Sequence, residues 1–246
     1  MYENNSFVTL TYNDDHLPEN GSIQKVELQN FIKRLRKEIY PKKVRFFGCG
    51  EYGEKLNRPH YHACLFGYDF SDKEALFHAR RSEYNGYIRK KRGECDLYRS
   101  KTLEKVWDKG FSTIGEVSYE SAGYVARYVC KKIDGDMAKK HYKGKQEEFA
   151  LMSRMPGIGK KWIEKYLRDV YPKDFVTVNG KKVKPPRYYD TQLEKYNMME
   201  MRSIRKKRRE QSLAKRPETT LRNRAKEYHL KCVTKSLQRG FENAGD

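Results

Sequence analysis

The chain has 246 residues, enough for one large domain or a domain with an appendage. Lys and Arg number 53 against 33 acidic residues, and the resulting +20 points to a polyanionic partner, because each neutralised phosphate releases a condensed counterion. Five cysteines with no CxxC pair argue against a secreted disulfide framework, and no apolar run is long enough to span a bilayer. A reduced, cytoplasmic protein with no membrane partner is therefore expected.

Residues Phe7–Tyr12 alternate and are β-branched, which predicts a strand; Asn13–Gly21 is turn-rich. Leu28, Phe31, Ile32, Leu35 and Ile39 follow a helical period and predict a helix over Ser22–Ile39, with Lys33, Arg34, Arg36 and Lys37 on its other side. Val44–Gly50 and His60–Gly67 are two further strands, read as an antiparallel hairpin. Residues 70–100 are polar and irregular, and a helical insertion with loops is expected there. Phe111–Val117 is a strand leading into a helix over about 119–133, stopped by Asp134-Gly135. Pro156-Gly157-Ile158-Gly159 precedes a short helix at 160–170. Val176–Val183 is a hairpin with Asn179-Gly180 as its type I′ turn. Pro185-Pro186 marks a break. From Lys195 on, 15 basic residues face 6 acidic ones, and residues 187–246 form a basic helical extension, expected to bind DNA or to be partly disordered alone, after a principal domain at 1–186. The fold class expected is α+β, a mainly antiparallel sheet with helices on one side.

On a strand, residues two apart share a face, so His60 and His62 project together while Tyr61 points away. If the hairpin pairs antiparallel, Glu51 falls opposite His60 and completes a site of two imidazoles and one carboxylate. A mixed nitrogen and oxygen set with open positions suits Mn²⁺ or Mg²⁺ in phosphoryl chemistry. Cys49 becomes a rival ligand if the register slips by one residue, Glu54 is another from the loop, and a surface His pair without metal is the plainer reading.

In the helix at 119–133, Ala122, Val125, Ala126, Val129 and Ile133 form one stripe, read as the core face. Tyr124, Arg127, Tyr128 and Lys131 fall on the opposite stripe, leaving two phenols one turn apart, each with a cation three residues on, suited to a phosphate. Two ordinary surface tyrosines are the plainer alternative.

The Phe-Val-Thr-Leu-Thr-Tyr strand, Gly50-Glu51-Tyr52-Gly53, Arg58-Pro59-His60-Tyr61-His62 and Ser121–Lys131, in that order, resemble the HUH endonucleases. Within them the Tyr-x-x-x-Tyr spacing is similar to two-tyrosine rolling-circle replication initiators, in particular those of gokushovirus-like microviruses, small single-stranded DNA bacteriophages. The similarity covers residues 6–172, including Ser153–Gly159. It implies an HUH endonuclease fold, an antiparallel sheet of about five strands with flanking helices and the tyrosine helix on its metal-bearing face. It also implies His60 and His62 as metal ligands and Tyr124 and Tyr128 as nucleophiles. Tyr61 is a mild departure, being a polar-tipped aromatic where the family has a hydrophobic residue.

That resemblance implies nicking and rejoining of single-stranded DNA at a viral origin through a 5′-phosphotyrosine, with Arg127 or Lys131 lowering the phenol's pKa. No GxxxxGK[ST] occurs, so unwinding is assigned to a host helicase, with synthesis by a host polymerase. Contacts to DNA are expected from Arg58, Lys33, Arg34, Gly157, Gly159 and Lys160, and from the run Arg205, Lys206, Lys207, Arg208 and Arg209. Plainer readings are a helix-entry turn for the glycines and a solvated charge run for the tail. A non-catalytic nucleic-acid-binding module, or a transposase or relaxase of the same superfamily, are the competing functions. Origin sequence and assembly state are not legible.

Overall fold

The computed structural model describes residues 1–53, 56–77, 81–84, 87–90, 96–131, 136–214 and 219–236, without the side chains of 77, 81–90, 127–131, 136–137 and 233–236. Two compact units emerge, Tyr2–Ser153 and the described residues from Arg154 on. The break expected at Pro185-Pro186 falls inside the second.

In the first unit the elements run β1 (Asn5–Thr11), α1 (Lys25–Glu38), β2 (Arg45–Tyr52), β3 (Pro59–Phe66), β4 (Glu74–Phe77), β5 (Arg81–Tyr84), β6 (Tyr87–Lys90), β7 (Leu97–Arg99), α2 (Lys101–Val106), β8 (Ser112–Gly115), α3 (Tyr119–Lys131), α4 (Asp136–Tyr142) and β9 (Phe149–Met152). Seven strands form one antiparallel sheet in the order β4-β7-β8-β1-β3-β2-β9, and β5 and β6 pair separately. The class is α+β. The sheet is wider than the five strands the resemblance implies, because β4, β7 and β9 extend its edges.

Alternation along the central strands builds two different faces. Val8, Leu10, Phe46, Tyr61, Ala63 and Leu65 pack against Leu28, Phe31, Ile32 and Leu35 of α1 and against Leu103, Val106 and Trp107 at α2. Phe7, Cys49 and Cys64 face the other way and meet Tyr124 and Val125 of α3. Helices thus cover both faces, correcting the one-sided expectation. The β1 and β2 periods already offered two sets of inward residues, and each set needs a cover.

Helix α1 begins at Lys25, three residues later than expected. Gln24 is extended (φ −131°, ψ 116°), and its N–H donates to the Tyr61 hydroxyl (2.9 Å) while the Ile23 N–H donates to that of Tyr52 (3.2 Å). These bonds satisfy N–H groups that another helical turn would leave orphaned. The polar tip of Tyr61, odd for its motif, is thereby accounted for: the ring is buried on the α1 face, with its hydroxyl 2.8 Å from that of Tyr12.

Where a helical insertion was expected over 70–100, the described residues form strands β4 to β7. Half-exposed edge strands carry too few apolar residues to announce themselves by composition. Ser100 then caps α2, its Oγ accepting from the Leu103 N–H (3.1 Å) and donating to Asp72 (2.6 Å).

The second unit contains α5 (Lys160–Val170), β10 (Val176–Val178), β11 (Lys181–Val183), α6 (Arg187–Tyr196), α7 (Met198–Leu213) and α8 (Thr220–Ser236). Asn179 (φ 48°) and Gly180 (φ 75°) form the expected turn between β10 and β11, both in the left-handed region that a type I′ turn requires. Ile163, Val170, Leu193, Met201 and Ile204 join α5, α6 and α7 in one core. Beside it Arg208 donates to Asp174 (2.8 Å from Nε) and to Asp190 (2.7 Å from Nη1), and Tyr171 donates to Asp190 (2.6 Å).

Burial raises the Asp190 pKa, but the hydrogen bonds from Arg208 and Tyr171 outweigh it and hold the group below the ordinary carboxylate value. The native form therefore binds this proton less readily than the unfolded chain. The contribution is present above the unfolded pKa of about 4 and is lost as pH falls through the native value. Arg208→Ala should cost about 2–3 kcal/mol, since it strands a buried carboxylate at the inner edge of the core, and should abolish much of this acid sensitivity. Urea unfolding at pH 7 and pH 3, followed through Trp162 fluorescence, checks both statements.

Candidate active site

The β2–β3 register places Glu51 opposite His60 and Cys49 opposite His62, and the β1–β3 register places Thr9 opposite His62. The expected pairing of Glu51 with His60 is thus present. Glu51 Oε1 lies 2.9 Å from His60 Nε2 and 2.8 Å from His62 Nε2, and one ligand atom from each of the three residues lies within 4.8 Å of the others. Cys49 needs no register slip to share this face, because residues 49 and 51 are two apart; it sits one pair further along, in the apolar cluster under Tyr124. Glu54 lies outside the described residues.

The surroundings orient both imidazoles. His60 Nδ1–H donates to the Arg58 carbonyl (3.1 Å), turning Nε2 toward Glu51; His62 Nδ1 lies 2.9 Å from Thr9 Oγ1, with the same result. Phe7 stacks on His62 at 5.5 Å between centroids and 18° between planes. Such backing fixes the ring nitrogen that a metal would take. Thr9 and Phe7 were missed in the sequence, although the alternation of β1 puts both on this face.

Burial would raise the Glu51 pKa, yet the hydrogen bonds and charges of His60 and His62 hold it down at about 2. Its second oxygen, Oε2, is buried without a hydrogen-bond partner among the described residues. An ionised carboxylate with an unsatisfied buried oxygen and two converging imidazoles is costly unless a cation joins it. The three residues therefore fit a divalent metal ion.

Tyr124 completes the site. It is only 3% exposed, its ring meets His62 edge-on at 5.1 Å, and its hydroxyl donates to Glu51 Oε1 over 3.3 Å. This corrects the helical-wheel expectation. The stripe facing the sheet carries Ser121, Tyr124 and Val125, whereas Ala126, assigned to the core, is exposed. The sheet face beneath α3 is polar at its centre, so the helix presents a phenol there and not only its small apolar residues. The α3 backbone continues to Lys131, which puts residue 128 one turn beyond Tyr124; the side chains of Arg127, Tyr128 and Lys131 lie outside the described residues.

The other expected contacts fare differently. Arg58 donates to the Tyr12 carbonyl (3.0 Å) and pairs with Asp14 (2.8 Å). Lys33 and Arg34 lie on α1, across the sheet from the histidines, and Arg34 Nε donates to the Val106 carbonyl (2.9 Å). In the second unit a Cβ on Gly157 would meet the Tyr188 hydroxyl at 2.6 Å, Gly159 caps α5 at φ 84°, and Lys160 pairs with Glu164 (3.3 Å). Packing accounts for these glycines. Arg205 pairs with Glu194 (2.7 Å), and Arg208 is held by Asp174 and Asp190, whereas Lys206, Lys207 and Arg209 are exposed.

Fold and site together define an α+β protein with a carboxylate and two imidazoles on an antiparallel sheet, roofed by a tyrosine-bearing helix. Residues 5–133 match the family of the replication-associated protein ORF2, and the chain belongs to that family. It is 34% identical over 204 residues to the replication-associated protein ORF2 of Spiroplasma virus 4, covering 78% of this chain and 59% of that protein. It is 31% identical over 197 residues to the replication-associated protein VP4 of Bdellovibrio phage phiMH2K, covering 77% and 58%. Against the replication-associated protein ORF4 of Chlamydia phage 1 it is 31% identical over 199 residues, covering 79% and 47%. The chain thus spans about half to three-fifths of the length of these relatives. No solved structure matches it. Among the described residues, no helix is long and apolar enough to cross a membrane.

Proposed function

We propose that this protein is a phage replication initiator whose first unit nicks and rejoins single-stranded DNA at the viral origin, in the host cytoplasm. The observation that carries this reading is convergence: the Tyr124 hydroxyl reaches the same Glu51 oxygen that both imidazoles reach. The relatives' names as replication-associated proteins of phages support the biological setting.

Glu51, His60 and His62 would hold the ion, Mn²⁺ or Mg²⁺, which when bound withdraws charge from a non-bridging phosphate oxygen. Thr9 and the Arg58 carbonyl keep the imidazoles aimed. Phe7, Cys49 and Cys64 keep water from the floor of the site. A tyrosine oxygen, Tyr124 or Tyr128, attacks phosphorus as the bond to the 3′ oxygen breaks. The phenolic proton is lost, the 3′ oxygen gains one, and a 5′-phosphotyrosine remains. One phosphodiester is exchanged for another ester, so the reverse step needs no ATP. Two tyrosines allow one to store a strand end while the other cuts the regenerated junction. Arg127 or Lys131 would favour the phenolate. Unwinding and synthesis fall to a host helicase and polymerase.

Incubation with Mn²⁺ and labelled single-stranded circular DNA should give a covalent adduct that survives denaturant and is absent with chelator. Tight salt-sensitive binding of DNA or RNA with no adduct would favour a binding module instead.

A further inference from the structure

The run Arg205–Arg209 reads as one basic cluster in the sequence, but helix geometry splits it. Met201, Ile204 and Arg208 face the core, and Arg208 is consumed there by Asp174 and Asp190. Arg205 is clamped by both oxygens of Glu194, at 2.7 and 2.8 Å. Away from that face, Arg202, Lys206 and Arg209 follow one another at i, i+4 and i+7, so they share a stripe about 60° wide. All three are exposed, and neither Lys206 nor Arg209 forms an ion pair among the described residues. The field of Arg202 reaches Glu194, whose carboxylate Arg205 already occupies. Glu210 flanks the stripe, and Lys207 is turned aside from it.

We infer that the outer stripe of α7, Arg202–Lys206–Arg209, is a docking surface for the phosphate backbone of single-stranded DNA. Three cations held in a row by a helix anchored at its other face bind a linear polyanion without prior ordering of the backbone, whereas a second copy of this chain, itself strongly basic, is repelled. The contact is to phosphates and carries no base sequence, so the stripe holds DNA without choosing the origin. The choice of DNA as the polyanion rests on the function proposed above.

The test measures binding of a fluorescein-labelled oligo-dT by the full chain, with chelator present so that no cleavage occurs. The triple variant R202Q/K206Q/R209Q should keep its melting temperature and lower the slope of log K against log salt by about 2, from about 0.7 per lost phosphate contact. Each single variant should lower it by about 0.7. A control with the same loss of charge on α1 and α2, K33Q/K37Q/K101Q, should leave the slope unchanged. An unchanged slope in the triple variant, or an equal fall in the control, would overturn the inference. So would displacement of the DNA by polyglutamate as readily as by unlabelled oligo-dT, which would identify an acidic polypeptide as the partner. Failure of nicking with the slope shift intact would touch only the catalytic reading.

Discussion

Replacing both Tyr124 and Tyr128 by Phe should abolish the covalent DNA adduct, a loss of at least about 10³-fold, while leaving the first unit folded. Removing a nucleophile leaves only residual electrostatic catalysis, and no other group among the described residues touches the Glu51–His60–His62 cluster with a phenol. The cost to stability should be small. The Tyr124 ring keeps its edge contacts with Phe7 and His62 in the Phe variant, and the hydrogen bond surrendered to Glu51 contributes about 1 kcal/mol. Because one tyrosine can begin the reaction without the other, at least one single variant should retain some adduct. Electrophoresis under denaturing conditions reads the adduct, and thermal melting reads the fold. An undiminished adduct in the double variant would remove both residues from the chemistry.

The second large effect concerns the metal. His60→Ala and His62→Ala should each lower Mn²⁺ affinity by more than about 100-fold and eliminate cleavage, while DNA binding in chelator persists. Thr9→Val, which removes only the group behind His62, should cost about 10-fold. The two histidines should differ in what they do to the fold. His62 is almost wholly buried between Phe7 and Tyr124, so its removal opens a cavity; His60 is partly exposed and should be tolerated better. Calorimetric titration with Mn²⁺ and parallel melting curves separate these contributions. Retention of Mn²⁺ affinity in both variants would show that the ion sits elsewhere.

The parts of this site legible in the sequence were those set by strand periodicity. Two residues per repeat fixes His60 beside His62, and a hairpin between them and Glu51 leaves few registers in which the carboxylate can meet an imidazole. What lay across the sheet was harder to read. Thr9 and Phe7 come from a strand far earlier in the chain, and only the β1–β3 pairing brings them under His62.

The tyrosine helix was read on a rule that apolar stripes face the core. That rule failed because the surface beneath α3 holds a buried carboxylate and two imidazoles, which a phenol covers better than alanine. Edge strands β4, β7 and β9 were missed because short, half-solvated strands lack a strong pattern, and β9 owes its place to pairing with β2. The basic run in α7 was visible as charge, but which of its members are spent on Asp174, Asp190 and Glu194 depends on packing that composition does not encode.

The most direct measurement is to digest the DNA adduct formed in Mn²⁺ and find the tyrosine that carries the nucleotide by mass spectrometry. The added mass should map to the α3 peptide, on Tyr124 or Tyr128. A nucleotide on a tyrosine of the second unit, or strand scission with no nucleotide left on the protein, would contradict the account.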